Sequence, residues 1–438
     1  MLHTRSSIPQ GLTGLVLCLA MAARLPGAAA ADPPSGAASS PAAADSLRPV
    51  VKVVSGGESE RRPEDCRATI VGPGINQPDP YPGYGGFVGW NSPIRLRSGD
   101  WLVGFSAGYW HASPPTPLRF SADTIASYRK MGLPADVASP TGGRAMLMRS
   151  TDEGKTWTKP WTILDTPDDD RHPGFVELPD GTLVCSVFTY PGGDRADFVK
   201  SPGLAYRTAI IRSFDQGKTW DREVIRLPSP FLADETDGPM VLLKDGSILL
   251  TISGTLKEGG PSQAAVFTSQ DRGATWQLRT TIRAEHDLDE ANATPLPDGT
   301  LVLMARPEGD ICWSFDEGRT WTAPVTFGMR LYAPSLYALR DGTLVSLHGS
   351  YVRGGLRLIF STDAGRTWVA PAKDYGFLVD SCYGYGKAFE LPDGTLLVAD
   401  QGTGGHTTAD AKSMSLRLLR VRIRADRSGI DLLPPSSR

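Results

Sequence analysis

The sequence predicts an all-β fold, a six-bladed β-propeller of four-stranded antiparallel blades. Two interleaved repeats and a near-absence of helical periodicity predict it. The first repeat is Ser-x-Asp-x-Gly-x-Thr-Trp, found at 150–157, 213–220, 269–276, 314–321 and 361–368. The second reads SGDWLV (98–103), PDGTLV (179–184), KDGSIL (244–249), PDGTLV (297–302), RDGTLV (340–345) and PDGTLL (392–397). Each copy of the second follows apolar alternation and leads into a β-rich run. That is a hairpin signature, because glycine supplies the positive φ a tight turn needs. Strand-rich repeats in series are the mark of a propeller.

Within one unit the order is strand, Gly turn, strand, strand, Ser-x-Asp-x-Gly-x-Thr-Trp, strand. Six Gly turns give six blades. The sixth lacks the Trp motif and continues instead as SLRLLRVRIRA (415–425) and GIDLLPP (429–435), with RPVVKVV (48–54) the expected N-terminal contribution to that blade. The Trp motif itself reads as scaffold. Its Asp fits a tight turn in which the carboxylate accepts backbone N–H groups, and its Trp is placed to cover the seam between blades. A catalytic group is needed once, whereas this one recurs five times.

Outside the repeats, residues 1–31 carry the order of a secretory signal peptide: His3 and Arg5, an apolar run from Leu12 to Ala23, then Ala28 to Ala31. That run is too short for a permanent membrane anchor. Residues 32–47 are an Ala/Pro/Ser-rich linker, and 48–438 the propeller, with a loop insertion at 112–142. Secretion or a periplasmic location is the expectation, with the protein a monomer. Removing Arg5 and Arg24 takes the formal charge from -3 to -5, and no basic run or aromatic-basic platform points to nucleic acid. Cys66, Cys185, Cys312 and Cys382 remain, at spacings that specify no disulfide. No metal-ligand spacing and no cofactor motif is found. DDDRH (168–172) is read as a solvated acidic turn.

Equivalent positions of a propeller point the same way, so the repeats supply coordinates. Nine residues before the six turn glycines stand Trp90, His172, Asp237, Glu290, Ala333 and Tyr385. One position earlier stand Gly89, Arg171, Thr236, Asp289, Tyr332 and Gly384. Both columns fall where the innermost strands begin, at one mouth of the central channel. A ring carrying His, Asp, Glu, Tyr and Trp is the composition of a substrate pocket, although any channel mouth is wet and polar. Tyr385 and Glu290 are placed to meet across the axis.

The five Trp motifs resemble the Asp boxes of the sialidase superfamily. DEANATPLPDGTLVLMAR (289–306) resembles the family segment with an acidic residue before its Gly turn and an arginine after it. The resemblance implies that Glu290 is the base partner of a tyrosine and that Arg306 is one of three arginines holding a substrate carboxylate. SYVRGGLRLIFSTDAGRTW (350–368) places Arg353 like another of the three, and YGYGKAFELPDG (383–394) places Tyr385 where the family carries its nucleophile. A neutral tyrosine suits a sugar bearing its own carboxylate, which would repel a carboxylate nucleophile. Arginine forks suit that carboxylate better than lysine does.

Two features depart from the family pattern. Gly89-Trp90-Asn91 occupies the place of the first-blade arginine. The region of the family's acid/base aspartate is the 112–142 insertion, where SADTIASYRKMG (121–132) reads as a short capped helix, a lid over the pocket. Asp123 and Asp136 are both available there, Asp136 lying nearer the following strand. His111 and His172 could instead supply the acid, since imidazole titrates near neutrality. The resemblance implies an exoglycosidase removing a terminal acidic sugar from a glycan. An uronate-directed glycosidase or lyase is a second expectation. The third is a non-catalytic carbohydrate-binding propeller using Trp90, Trp110 and Tyr383 as an aromatic rim.

Overall fold

The computed structural model describes residues 48–115, 139–192, 199–200, 202–237 and 240–435, together with 122, 126 and 129. The leader, the linker and most of the 112–142 insertion, including Asp123 and Asp136, lie outside the described residues.

The strands form six sheets arranged as the blades of a propeller, each running from channel to rim. Blade 1 holds Phe87–Arg95, Trp101–Gly108, Arg144–Ser150 and Trp161–Leu164. Blade 2 holds Asp169–Glu177, Leu183–Tyr190, Arg207–Ser213 and Ile225–Arg226. In blade 3 the inner strand is split into Ala233–Glu235 and Val241–Leu242, both paired with Ile248–Thr255. Blade 4 begins with Asp289–Pro295 and Leu301–Arg306, blade 5 with Leu331–Ala338 and Leu344–Ser350, blade 6 with Gly386–Glu390 and Leu396–Gln401. Among the described residues helix occurs in short pieces such as Pro63–Cys66 and Thr408–Ala411. No helix among the described residues is long and apolar enough to cross a membrane.

The chain ends differ from expectation. Val50–Val53 pairs in parallel with Thr367–Ala370, so it extends the edge of blade 5 and does not enter blade 6. The outer edge of blade 6 is shared by Ala68–Val71 and Ile430–Leu433, which cover successive halves of Leu416–Ile423. One long strand thus takes two short partners, one from each end of the chain. Val50–Val53 lacks the buried alternation of such a partner: three of its four side chains are exposed.

Six apolar clusters fill the six seams between neighbouring blades, including the one that closes the ring between blades 6 and 1. The repeated Trp residues pack at these seams. Trp276 is buried between blades 2 and 3, and Trp368 is buried between blades 4 and 5. Burial of such aromatic area is the main favourable term.

The five Trp motifs share one hydrogen-bond pattern. In the second copy Asp215 accepts from the Thr219 N–H at 2.8 Å and from Thr219 Oγ1 at 2.6 Å, while Ser213 Oγ accepts the Gly217 N–H at 2.7 Å. Asp152, Asp271 and Asp316 repeat both Thr contacts, and Asp363 repeats the one to the backbone. The residue before the motif glycine is left-handed in every copy, Gln216 for example at φ 61°. The glycine after it is left-handed too, where a side chain would add a second strained residue. Asp215→Ala should therefore cost about 1–3 kcal/mol of stability through lost turn bonds, with turnover per folded molecule retained. Thermal melts and active-site-normalised rates check this; an unchanged melting temperature with abolished turnover would refute a scaffold role.

Candidate active site

The inner strands do not enter the channel mouth as regular strands. Pairing slips at Gly89/Ser92, Arg171/Gly174, Asp289/Asn292 and Tyr332/Ser335. At these bulges Trp90, His172, Glu290 and Ala333 take left-handed backbone, with φ of 51°, 55°, 46° and 48°. Left-handed backbone outside glycine is strained, by about 1–3 kcal/mol per residue, and bulges recur where a side chain is re-aimed beside a site. The strain thus falls on the ring picked out by the repeat register.

Tyr385 and Glu290 meet in that ring. The Tyr385 hydroxyl donates to Glu290 Oε1 at 2.6 Å. Glu290 Oε2 accepts the Ala333 N–H at 2.6 Å and lies 3.0 Å from Arg306 Nε. A second Arg306 nitrogen reaches Asp289 at 3.0 Å. Burial is the largest influence on Glu290 and pushes its pKa up to about 7; Arg306 and the Tyr385 hydroxyl oppose it, while Asp237 and Asp289 add to it. Burial also holds the Tyr385 hydroxyl well above its ordinary value, with the Glu290 charge adding to the effect. The tyrosine is neutral at rest, beside a carboxyl whose pKa lies near neutrality, an arrangement in which the proton can pass from one to the other. Tyr383 stacks on Tyr385 at 5.4 Å between ring centres and 8° between planes. It bonds His406 Nε2 through its hydroxyl at 2.9 Å, and the Tyr332 hydroxyl holds its carbonyl at 2.6 Å.

On the opposite arc, His172 Nδ1 lies 2.5 Å from Asp237 Oδ1, both side chains being buried. The contact is close but not aligned as a regular hydrogen bond. The His172 ring is 4.7 Å from Trp90 and 6.2 Å from Tyr385. His111 belongs to the rim: its Nδ1 is 2.9 Å from the Gly404 carbonyl and its ring 4.4 Å from His406.

DDDRH is not a solvated turn. Asp169, Asp170, Arg171 and His172 are all buried in the inner strand of blade 2. Each carboxylate is used locally: Asp169 accepts the Ser113 N–H at 2.7 Å and pairs with Arg171 at 2.8 Å, while Asp170 accepts the Thr166 N–H at 2.7 Å. Asp169 thereby anchors the root of the insertion to the mouth. Trp90 is not an open platform either. It is 4% exposed, with the Arg171 guanidinium 4.3 Å above its ring and Phe87 4.8 Å away. Trp110 is equally enclosed, at 2%. Of the three rim aromatics, Tyr383 alone is partly exposed.

Arg353 stands apart from Glu290 and Tyr385. It is exposed, its guanidinium 4.9 Å above the Tyr375 ring. Of the residues matched to the arginine triad, Arg306 is the one that touches the Glu290–Tyr385 pair. The ring also includes groups outside the two columns. Lys387 is buried one strand period below Tyr385, where Asp237 and Glu290 act on it and burial lowers its pKa. Its signal lay in the alternation of a strand, since residues two apart share a face.

The BNR repeat-like domain family matches residues 147–398. A sialidase of Micromonospora viridifaciens is 25% identical over 339 residues, 66% of this chain and 50% of that protein. A sialidase of Bacteroides fragilis (strain YCH46) is 25% identical over 207 residues, 40% of this chain and 36% of that protein. The chain thus spans half or less of the length of these curated relatives. Among solved structures, a Dyadobacter fermentans protein of unknown function superposes with a TM-score of 0.61 at 20% identity, covering 82% of this chain and 98% of that one. The intramolecular trans-sialidase from Ruminococcus gnavus superposes with a TM-score of 0.52 at 13% identity, covering 78% and 95%. The propeller architecture is common to all of these folds. With the family match running over more than half of its length and sialidases among its relatives, the chain belongs to the BNR repeat-like family of the sialidase superfamily.

Proposed function

We propose that the protein is an exoglycosidase that removes a terminal acidic sugar, sialic acid or a relative of it, from a glycan. The 2.6 Å bond between the Tyr385 hydroxyl and Glu290 carries this reading. Tyr385 Oη attacks the anomeric carbon while its proton passes to Glu290, and a covalent glycosyl-tyrosine forms as the glycosidic bond breaks. Arg306, beside both groups, is the carboxylate anchor in this scheme. Asp136 in the insertion is the acid that the resemblance suggests for the leaving oxygen. A protein that only binds sugar needs no strained, buried glutamate held against a tyrosine hydroxyl, and the enclosed Trp90 and Trp110 offer it no stacking surface.

A second reading is favoured by Trp90 in the first arginine's place and by Arg353 lying over Tyr375. With one arginine at the pair, the carboxylate need not adjoin the anomeric carbon, and an uronate fits that requirement. Incubating the purified protein with parallel panels of α-sialosides and uronosides decides between them. Release of sialic acid supports the first reading, release of an uronic acid or an unsaturated uronate supports the second, and no turnover on either panel overturns both.

The leader motif and the chemistry of a glycan substrate together suggest that the protein works outside the cytoplasm. Fractionation of the native host, with activity assayed in each fraction, tests this; activity retained wholly in the cytosol would overturn it.

A further inference from the structure

We propose that the His172–Asp237 pair is the proton donor to the departing sugar oxygen and, in the second step, the base that activates water. This rests on the Tyr385–Glu290 reading above and names the other half of the same reaction.

Three observations carry it. His172 and Asp237 come from adjacent blades at the same register as Glu290, so both face the same mouth, and the His172 ring stands edge-on to Tyr385 at 6.2 Å. Second, Nδ1 lies 2.5 Å from Asp237 Oδ1, so Nε2 is the ring nitrogen left available to a ligand. Third, the arrangement is costly. His172 holds φ 55° at a bulge, its N–H tied to Ser106 Oγ at 3.1 Å, and neither Asp237 oxygen makes a regular hydrogen bond among the described residues. An imidazole carried on strained backbone beside an incompletely satisfied buried carboxylate is poor scaffolding and useful chemistry.

The charges around the pair are the cations Arg171, Lys387 and Arg306 and the acids Glu290 and Asp289, with His111 and Tyr385 as further titratable neighbours. Burial drives the imidazole well below its ordinary pKa, with Lys387, Arg171 and Arg306 adding to this. Burial drives Asp237 the other way, up to about 6. Both shifts favour the uncharged forms, a neutral imidazole beside a protonated Asp237 carboxyl whose proton can pass through the ring to Nε2.

The step balances. Tyr385 Oη bonds the anomeric carbon and its proton moves to Glu290. The glycosidic C–O electron pair goes to the leaving oxygen, which takes the proton from His172 Nε2. In the second step a water attacks the same carbon and gives its proton to Nε2. The tyrosine oxygen leaves with the electron pair of its bond and recovers its proton from Glu290.

The test compares leaving groups. His172→Asn retains a residue type that tolerates left-handed backbone, and Asp237→Asn removes the charge. Each is assayed in single turnover on 4-methylumbelliferyl and lactosyl glycosides of whichever panel sugar the wild type cleaves, with melting temperatures measured alongside. A lost acid should slow release of lactose by about 10²- to 10⁴-fold, and release of the acidic phenol by less than about 10-fold, since that group departs without a proton. Equal losses on both substrates overturn the proposal while leaving the Tyr385 reading intact. The same pattern in Asp136→Ala, with His172→Asn indifferent to leaving group, overturns it in favour of the insertion. A wild type inactive on every glycoside removes the hydrolase reading and the proposal with it.

Discussion

Tyr385→Phe is expected to leave the fold and sugar binding nearly unchanged while turnover falls by several orders of magnitude. The ring stacks on Tyr383 at 5.4 Å, a contact that phenylalanine keeps. What is lost is the one oxygen able to attack, together with its 2.6 Å bond to Glu290. Glu290→Gln should produce a comparable loss. The double variant should be scarcely worse than either single one, because nucleophile and base act as a unit. Mass spectrometry of the wild type trapped with a fluorinated glycosyl donor should find the adduct on Tyr385. Full activity in Tyr385→Phe would end the mechanism and leave His172, Asp237 and Glu290 to be tested in its place.

The pH dependence has a definite sign. Glu290 must be ionised to accept the tyrosine proton, so kcat/KM should fall on the acid side as Glu290, whose pKa burial has raised to about 7, takes up a proton. For stability the sign is opposite. A carboxyl raised above its ordinary 4.5 binds more protons folded than unfolded between these values. Its contribution is present at low pH and is lost as pH rises toward 7. The site thus becomes competent over the same range in which its own charge burial weakens the fold. A pH–rate profile without an acid limb would remove Glu290 as the base.

Much of this was legible because a propeller repeats. Six Gly turns fixed the blades, and counting back from them brought Tyr385 and Glu290, 95 residues apart, to one hydrogen bond. The same counting placed His172 beside Asp237. The illegible parts are those the repeat does not govern. Val50–Val53 joins an exposed edge of blade 5, where a short strand of either register could pair. DDDRH looks hydrophilic in one dimension, yet Asp169, Asp170, Arg171 and His172 are all buried against specific neighbours, which composition cannot reveal. Trp90 has the composition of a sugar platform, and only the Arg171 guanidinium above its ring shows it covered. Arg353 keeps the family's sequence spacing, but the turn that carries it directs the side chain to Tyr375.

That contrast between the two arginines sets the last expectation. Arg306→Ala should be damaging in two separable ways. Its guanidinium sits between Asp289 and Glu290 at 3.0 Å from each, with 12% of its side chain exposed. Removing one partner of a buried ion pair leaves charge uncompensated, at about 3–5 kcal/mol, so the melting temperature should fall clearly. Arg306 also holds the Glu290 pKa down, so its loss should move the acid limb of the rate profile to higher pH. Beyond stability, affinity for an acidic sugar should weaken far more than for its neutral analogue, by about 1.5–3 kcal/mol for the lost charge-assisted contact. Arg306→Lys should recover part of the stability and little of the discrimination, since an ammonium cannot present a fork to two acceptors and a ligand together. Arg353→Ala, by contrast, should leave both the melting temperature and the acidic-to-neutral affinity ratio nearly unmoved, its guanidinium lying exposed over Tyr375. Equal losses for acidic and neutral ligands in Arg306→Ala would refute the anchor. A large selective loss in Arg353→Ala would instead mean that its side chain swings from Tyr375 to the pocket when substrate binds.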